Sequence, residues 1–455
     1  MKNFTRRQFL SRALNSTAAI TSAASLGLHM GLSSKVLAQS SSRFADYKAL
    51  VVVFLYGGND SFNLLVPTDN SEYNTYQGVR QSLAYAQESL LPIAPQSSQP
   101  YALGIPDAAS SIHSLFEAQK LSFVANMGPL SQPLTKSMIY NDYSLAPPQL
   151  FSHNDQQSLW QSATMQTNSV SGWGGRIADL IADSNDSLSM NLSIFGNNLM
   201  QSGTTVQPFA VDPEGPELFV ALNPQQNWNS ERVASFQQIL NDTAHPLARA
   251  YATQINSANE NNQRILEALE IVTPSTVNYP NNGLASQLQM VASLIASQPT
   301  IGQQRQIFYV GMGGWDTHDA QATQHPALLA TLGDSLAAFQ QDLDSRMLQD
   351  QVTTFTLSEF GRTLTSNGDG TDHGWGGHQM VMGGAVQGGN IFGTMPELAL
   401  NSDDDLEDGR MIPTLSVDQY GSAISKWFGL SDNELAVVFP NLDRFDSSAL
   451  DMFKS

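Results

Sequence analysis

The chain has 455 residues, 41% of them hydrophobic, enough for one large α/β domain or two ordinary ones. It contains no cysteine, which excludes disulfides, zinc–thiolate sites and thiol nucleophiles. A formal net charge of −20 excludes a surface built for nucleic acid or anionic lipid.

The N-terminus reads as a targeting segment. Thr5-Arg6-Arg7-Gln8-Phe9-Leu10 fits a twin-arginine export motif. A weakly apolar Ala/Ser-rich stretch follows, and Val36-Leu37-Ala38 offers small residues for cleavage. Residues 1–38 are expected to be a signal for the twin-arginine export machinery, and 39–455 a single periplasmic or secreted domain. Loss of the signal's five basic residues takes the net charge to about −25. No later stretch has the uninterrupted apolar length of a membrane span, so no permanent span is expected.

Along the rest of the chain, apolar runs alternate with helical patterns. Lys48 to Tyr56, KALVVVFLY, reads as a central strand buried on both faces, ending in Gly57-Gly58-Asn59-Asp60. Residues 64–108 look turn-rich. A helix is expected from Ala108 to Glu117 and a strand from Leu121 to Ala125. Residues 130–150 read as a long irregular loop. Ser152 caps a helix running to about Met165, and Gly172 opens another. Leu192–Phe195 and Pro208–Val211 read as short strands. Residues 216–300 look mainly helical and are expected to form a cap or lid. Gln306 to Val310 is a strand closing in Gly313-Gly314-Trp315-Asp316-Thr317-His318. Pro326 to Leu343 is an amphipathic core helix. Val352 to Leu357 is a further strand, with Glu359 and Arg362 at its carboxyl end and Asp372-His373 and His378 in the glycine-rich loop beyond. Gln379 to Met382 is another short strand. The acidic loop 400–409 suits solvent better than a calcium ion. Ser416 caps a final helix from Val417 to Phe428.

Three strands thus end in glycines and metal-capable groups. In a doubly wound sheet the carboxyl ends share one edge, so residues some 300 apart can converge. Asp60, Asp316, His318, Glu359, Asp372 and His373 are the expected metal ligands, for one or two ions of Zn²⁺, Mn²⁺, Mg²⁺ or Ca²⁺. Arg362 and His378 are expected to contact an anionic group. Two such ions would clamp an in-line displacement at phosphorus or sulfur.

The segments GGNDSFN, SHNDQQSLW, GWGGR, GGWDTH, SEFGR, TDHGWG and VDQYGSAISKWFGL together resemble the DUF1501 family, over about Lys48 to Phe445. The family consists of exported proteins of unassigned function placed in the alkaline phosphatase/sulfatase superfamily. The resemblance implies an α/β, alkaline-phosphatase-like three-layer fold, with a mostly parallel central sheet flanked by helices and a helical cap insertion. It implies that Asp60 and the Asp316/His318 pair bind metal. For the superfamily's next Asp-His, Asp372-His373 matches by motif and Glu359 by position after the strand; the second placement is preferred. It also implies a nucleophile at a helix N-terminus, for which Ser152 is the candidate, with Ser61 as the weaker choice. The alternative is Ser152 as a plain cap and His153 as a ligand or core residue. No S-x-P-x-R surrounds a serine, which disfavours a formylglycine sulfatase. The expected activity is metal-dependent hydrolysis of phosphate or sulfate esters, on an anionic small molecule or polymer. The other expectation is a non-catalytic periplasmic binding or assembly protein that retains the metal-site fold.

Overall fold

A computed structural model describes residues 43–182, 188–216, 230–241, 245–446 and 450–454. The export signal read at 1–38 lies outside these residues. No helix among the described residues is long and apolar enough to cross a membrane.

The β-branched run Lys48–Leu55 forms the strand on which the architecture is built. It pairs in parallel with Arg305–Met312 on one side and Val352–Leu357 on the other. Further out lie Asn191–Ser193 and Phe209–Ala210 on the first side, and Gly377–Met382, Leu121–Gly128, Ile391–Phe392 and Leu415–Ser416 on the second. Within this nine-stranded sheet Gly377–Met382 runs antiparallel to both its neighbours, and the other pairings are parallel. The reversed strand therefore begins at the edge where its neighbours end.

Alternation along Lys48–Leu55 divides the core in two. Ala49, Val51, Val53 and Leu55 face helices Ser110–Glu117, Gly283–Ala296 and Gln321–Ser345. Leu50, Val52 and Phe54 face helices Trp173–Ile181, Val417–Phe428 and Asp432–Val438. Burying each large side chain contributes about 1.5–3 kcal/mol, so both faces must be covered. The result is the expected three-layer α/β arrangement. A capping box between Ser416 and Gln419 starts the helix expected at Val417.

The chain divides into two compact units. Among the described residues, the smaller holds helix Ser230–Asn241 and the part of helix Pro246–Glu270 up to Asn259, packed through Phe236, Leu240, Ala252 and Ile255. Helix Gly283–Ala296, inside the stretch expected to be a cap, belongs to the larger unit. Its Leu284, Leu288, Val291 and Ile295 are core, because an apolar face this wide must be buried against a layer.

Residues 64–108 hold more structure than turns. Val66–Pro67, Leu90–Ile93 and Leu103–Pro106 form a small antiparallel sheet beside helix Asn70–Arg80. That helix, NSEYNTYQGVR, has weak helix formers and no broad apolar stripe; Tyr73, Tyr76 and Arg80, all buried, hold it in place. The 130–150 loop contains helix Lys136–Asn141 and is pinned through Leu130, Ile139, Ala146 and Leu150 to Trp375. In the acidic loop, Asp404 accepts the Glu397 N–H, and Asp405 those of Asn401 and Gly409. These carboxylates close the loop on itself.

Asp418, in the first turn of helix Val417–Phe428, is buried, and burial pushes its pKa up to about 7. One oxygen accepts the Asn441 N–H at 3.1 Å; the other has no partner. The folded chain therefore holds this proton more tightly than the unfolded chain does. Stability from Asp418 is full below about pH 4, falls as the pH rises towards 7, and is level beyond. Asp418→Asn is expected to abolish that fall. The natural chain's advantage in melting temperature over the variant should shrink steadily between pH 4.5 and 7.5, whereas a pH-independent difference would contradict this account.

Candidate metal centre

Four segments meet at the carboxyl edge of the sheet. Gly57 follows Lys48–Leu55, Asp316 follows Arg305–Met312, and Glu359 follows Val352–Leu357. The fourth is a hairpin. Arg362–Ser366 pairs with Thr371–His373 and sets Arg362 opposite His373, which folds the ten-residue gap back on itself. Helix His153–Ser162 adds His153. Two glycines permit the convergence. Gly57 has φ +123°, and a Cβ there would lie 2.2 Å from the Asp316 nitrogen. A Cβ on Gly370 would lie 2.2 Å from the His318 carbonyl carbon.

The site is a ring of imidazoles around one carboxylate. Ligand atoms of His153, Asp316 and His373 all lie within 4.8 Å of one another. His153 Nε2 is 3.5 Å from Asp316 Oδ2, and His373 Nε2 is 3.3 Å from Asp316 Oδ1. His318 Nε2 lies 3.0 Å from the same Oδ1 and 2.9 Å from His373 Nε2. The other ring nitrogens point outward. His373 Nδ1 donates to the Phe151 carbonyl at 2.7 Å, and His153 Nδ1 to Glu359 Oε1 at 2.9 Å. His318 Nδ1 faces Asp372 Oδ1 at 3.4 Å. A carbonyl or carboxylate can only accept, so Nδ1 of His153 and His373 carries a hydrogen, and their Nε2 atoms face Asp316 either as N–H donors of an imidazolium or as lone pairs open to a cation. Inward lone pairs this close call for a cation or a proton between them. A metal-binding histidine whose other nitrogen is held by a carboxylate or carbonyl has this geometry. The donor set, imidazole nitrogens with one carboxylate, fits a divalent transition metal.

Charge follows the geometry. The bond to Glu359 raises the pKa of His153, outweighing its partial burial. Burial lowers that of His373, against the pull of the Phe151 carbonyl. Burial alone would raise Asp316, but the Arg362 guanidinium, 2.9 Å away, holds its pKa below the ordinary value. At neutral pH the carboxylate is ionised.

Of the nine residues singled out in the sequence, Asp316, His318 and His373 stand in the cluster. Glu359 and Asp372, expected as ligands, stand one layer behind it, against His153 and His318. Glu359 is buried, and its Oε1 also accepts from Gly57 N–H and Gln157. Asp60 is fully buried, with its two oxygens 2.6 and 2.9 Å from the Arg80 guanidinium and Oδ2 also taken by Gln321. Three of its lone pairs are thus taken and it is shut off from solvent, so it is spent on the buried guanidinium, which must be neutralised by the nearest carboxylate. Arg362 is buried and spends its donors on Asp316, Gly57 O and Thr371. It holds Asp316 rather than reaching for an anion. His378 is buried, its Nδ1 accepts the Asn126 N–H, and burial takes its pKa down to about 3, so it carries no charge to offer an anion. Ser152 donates to Asp155 Oδ2 at 2.6 Å, and both its chain neighbours bond to the cluster. Arg80 is the member that sequence reasoning left out of the site, and His153 entered it only as the alternative to Ser152.

A family model described as "Protein of unknown function (DUF1501)" matches residues 47–437. The chain belongs to the DUF1501 family. No curated protein matches this member. Solved structures similar to the DUF1501 chain include Ps i-CgsB in complex with k-i-k-neocarrahexaose, at 8% identity and TM-score 0.36, covering 86% of this chain and 74% of that one. PsFucS1 sulfatase from Pseudoalteromonas sp. is 8% identical at TM-score 0.33, over 85% and 68%. A mutant of the alkaline phosphatase PafA is 11% identical at TM-score 0.28, over 70% and 64%. Likeness of this size speaks to no residue and no activity, so the function must be argued from the side chains.

The Asp60–Arg80 pair gives a direct prediction. Arg80→Met alone strands a buried carboxylate and is expected to cost about 3–5 kcal/mol in urea unfolding. Adding Asp60→Asn is expected to recover most of that loss and to leave metal affinity unchanged. Loss of metal binding in the double variant would return Asp60 to the ligand set.

Proposed function

We propose that the protein is an exported metal-dependent hydrolase of phosphate or sulfate esters, working at a single divalent ion. The observation that carries this reading is the gathering of His153, His373 and Asp316 within metal-binding reach, with His318 beside them and His153 and His373 held from behind by Glu359 and the Phe151 carbonyl. His153, Asp316, His318 and His373 would hold the ion. Of the four ions considered, zinc or manganese suits a nitrogen-rich set better than magnesium or calcium, which prefer oxygen. A bound ion would supply Lewis-acid polarisation of an ester oxygen. Asp60, closed by Arg80, would not serve a second ion.

Ser152 is the proposed nucleophile. It opens helix His153–Ser162, where free amides and the helix dipole favour an anion. Its Oγ would form the new bond to phosphorus or sulfur as the alcohol oxygen leaves, and its proton would pass to Asp155, which already accepts it at 2.6 Å. Water would then release the acid and restore the hydroxyl. Glu359 keeps His153 in the tautomer that turns Nε2 inward, and Arg362 keeps Asp316 ionised. The motif order shared with the alkaline phosphatase/sulfatase superfamily supports this class of ester, on a small molecule or a polymer outside the cytoplasm.

A second reading is a periplasmic binding or assembly protein that holds metal and turns nothing over. It is favoured by one observation: the Ser152 hydroxyl is already engaged with Asp155 as a helix-end bond. Elemental mass spectrometry of the exported protein, beside a His153→Ala/His373→Ala variant, tests the site. About one equivalent of zinc or manganese, lost in the variant, is expected. Ser152→Ala should then keep the metal and lose at least about a thousandfold in ester turnover. Full turnover in that variant removes Ser152 as nucleophile, and metal without turnover in the natural chain selects the binding reading.

A further inference from the structure

One aromatic ring at this edge of the sheet stays in water. Phe195, just beyond strand Asn191–Ser193, is 42% exposed. An isolated exposed phenyl is ordinary; this one is clamped. The preceding Ile194 N–H bonds Tyr309 O at 2.9 Å, and the ring lies on Gly311, where an added Cβ would come within 2.7 Å of it. It stacks on Tyr56 with centroids 5.4 Å apart and planes at 26°. Tyr56 in turn packs on Phe54 at 4.4 Å, so the pair is tied into the core.

The backbone of Tyr56 and its neighbour leads into the metal centre. Tyr56 O accepts the Trp315 N–H, one residue before Asp316. Gly57, the next residue after Tyr56, donates to Glu359 Oε1 at 2.8 Å, the oxygen that holds His153. Polar groups rim the rings. Tyr56 and Tyr309 hydroxyls meet at 2.7 Å, sharing one hydrogen and leaving the second for another acceptor. Asn197, Gly313 and Gly314 are exposed beside them. A flat apolar face with hydroxyl and amide groups at its margin matches one ligand chemistry best. A sugar ring has axial C–H groups for the aromatic face and hydroxyls for the rim. A lipid chain would need a continuous apolar patch in place of the polar rim.

We infer that Phe195, backed by Tyr56, presents a stacking face for a sugar ring of the ester substrate at the sheet edge that carries the metal centre. This rests on the ester reading above and names its substrate class. Phe195 acts in binding, not in bond breaking.

The test is ligand-observed saturation-transfer NMR on the metal-loaded full chain and on Phe195→Ala and Phe195→Tyr, each checked for an unchanged melting temperature. Glucose phosphate and galactose sulfate serve as ring esters, glycerol phosphate as the ring-free ester, phenyl phosphate as the aryl ester, and methyl glucoside as the uncharged sugar. Ring esters are expected to bind roughly tenfold tighter than glycerol phosphate. That preference should vanish in Phe195→Ala and return in Phe195→Tyr, with the strongest saturation on axial ring hydrogens. Equal binding of ring and ring-free esters overturns the platform and leaves the ester reading standing. A Phe195-dependent gain for phenyl phosphate alone overturns the sugar assignment. Phe195-dependent binding of methyl glucoside without any ester binding keeps the platform and removes the ester reading. No binding by any probe overturns both.

Discussion

The site depends on the bond between Arg362 and Asp316. Arg362 is fully buried, and a guanidinium without water needs an anion within reach. Asp316, 2.9 Å away, is that anion on the open side of the cluster. The bond keeps Asp316 ionised despite its partial burial, and an ionised Asp316 is what draws three imidazoles around it. Arg362 opens the hairpin whose other strand ends in His373. One side chain therefore fixes both the central carboxylate and the strand that brings a histidine to it.

Behind this lies a second buried pair, Asp60 with Arg80, joined to the first through Gln321. Gln321 donates to Asp60 and accepts from Thr317 and Thr371, the residues next to Asp316 and Asp372. A buried ion pair is weak evidence of stability, since desolvation offsets much of its attraction. Its use here is positional. The pair and its amide relay set the spacing between two strand ends that carry ligands. The buried pairs stand behind the cluster, while Asp316 and His318 are exposed.

Much of this was legible in the sequence. KALVVVFLY, QIFYV and VTTFTL announce buried strands through unbroken apolar runs, and the glycines after each mark where chemistry collects. Strand-end position singled out Asp316, His318 and His373, and the fold brings these three side chains together. Spacing could not say which atom of a ring faces which carboxylate, so Glu359 and Asp372 read as ligands although they stand behind histidines. Asp60, expected as a ligand, is found paired with Arg80, which spacing could not show either. Its partner Arg80 sits on a helix with no apolar periodicity, and only the fold reveals that the two are neutralised together. Ser152 and His153 are adjacent, and which of them turns into the site depends on the entry angle of the helix. Helix Gly283–Ala296 carries an apolar face wide enough to demand burial, but only the fold shows that it packs on the central sheet's layer.

The central claim is that one ion sits among three imidazoles and Asp316. X-ray absorption spectroscopy of the zinc-loaded protein tests it most directly, because it counts imidazole neighbours and detects a second metal. The account predicts multiple-scattering from three imidazoles, one oxygen neighbour from Asp316, and no metal–metal distance. A second metal about 3.5–4 Å away, or a shell of oxygens with one imidazole or none, would contradict it.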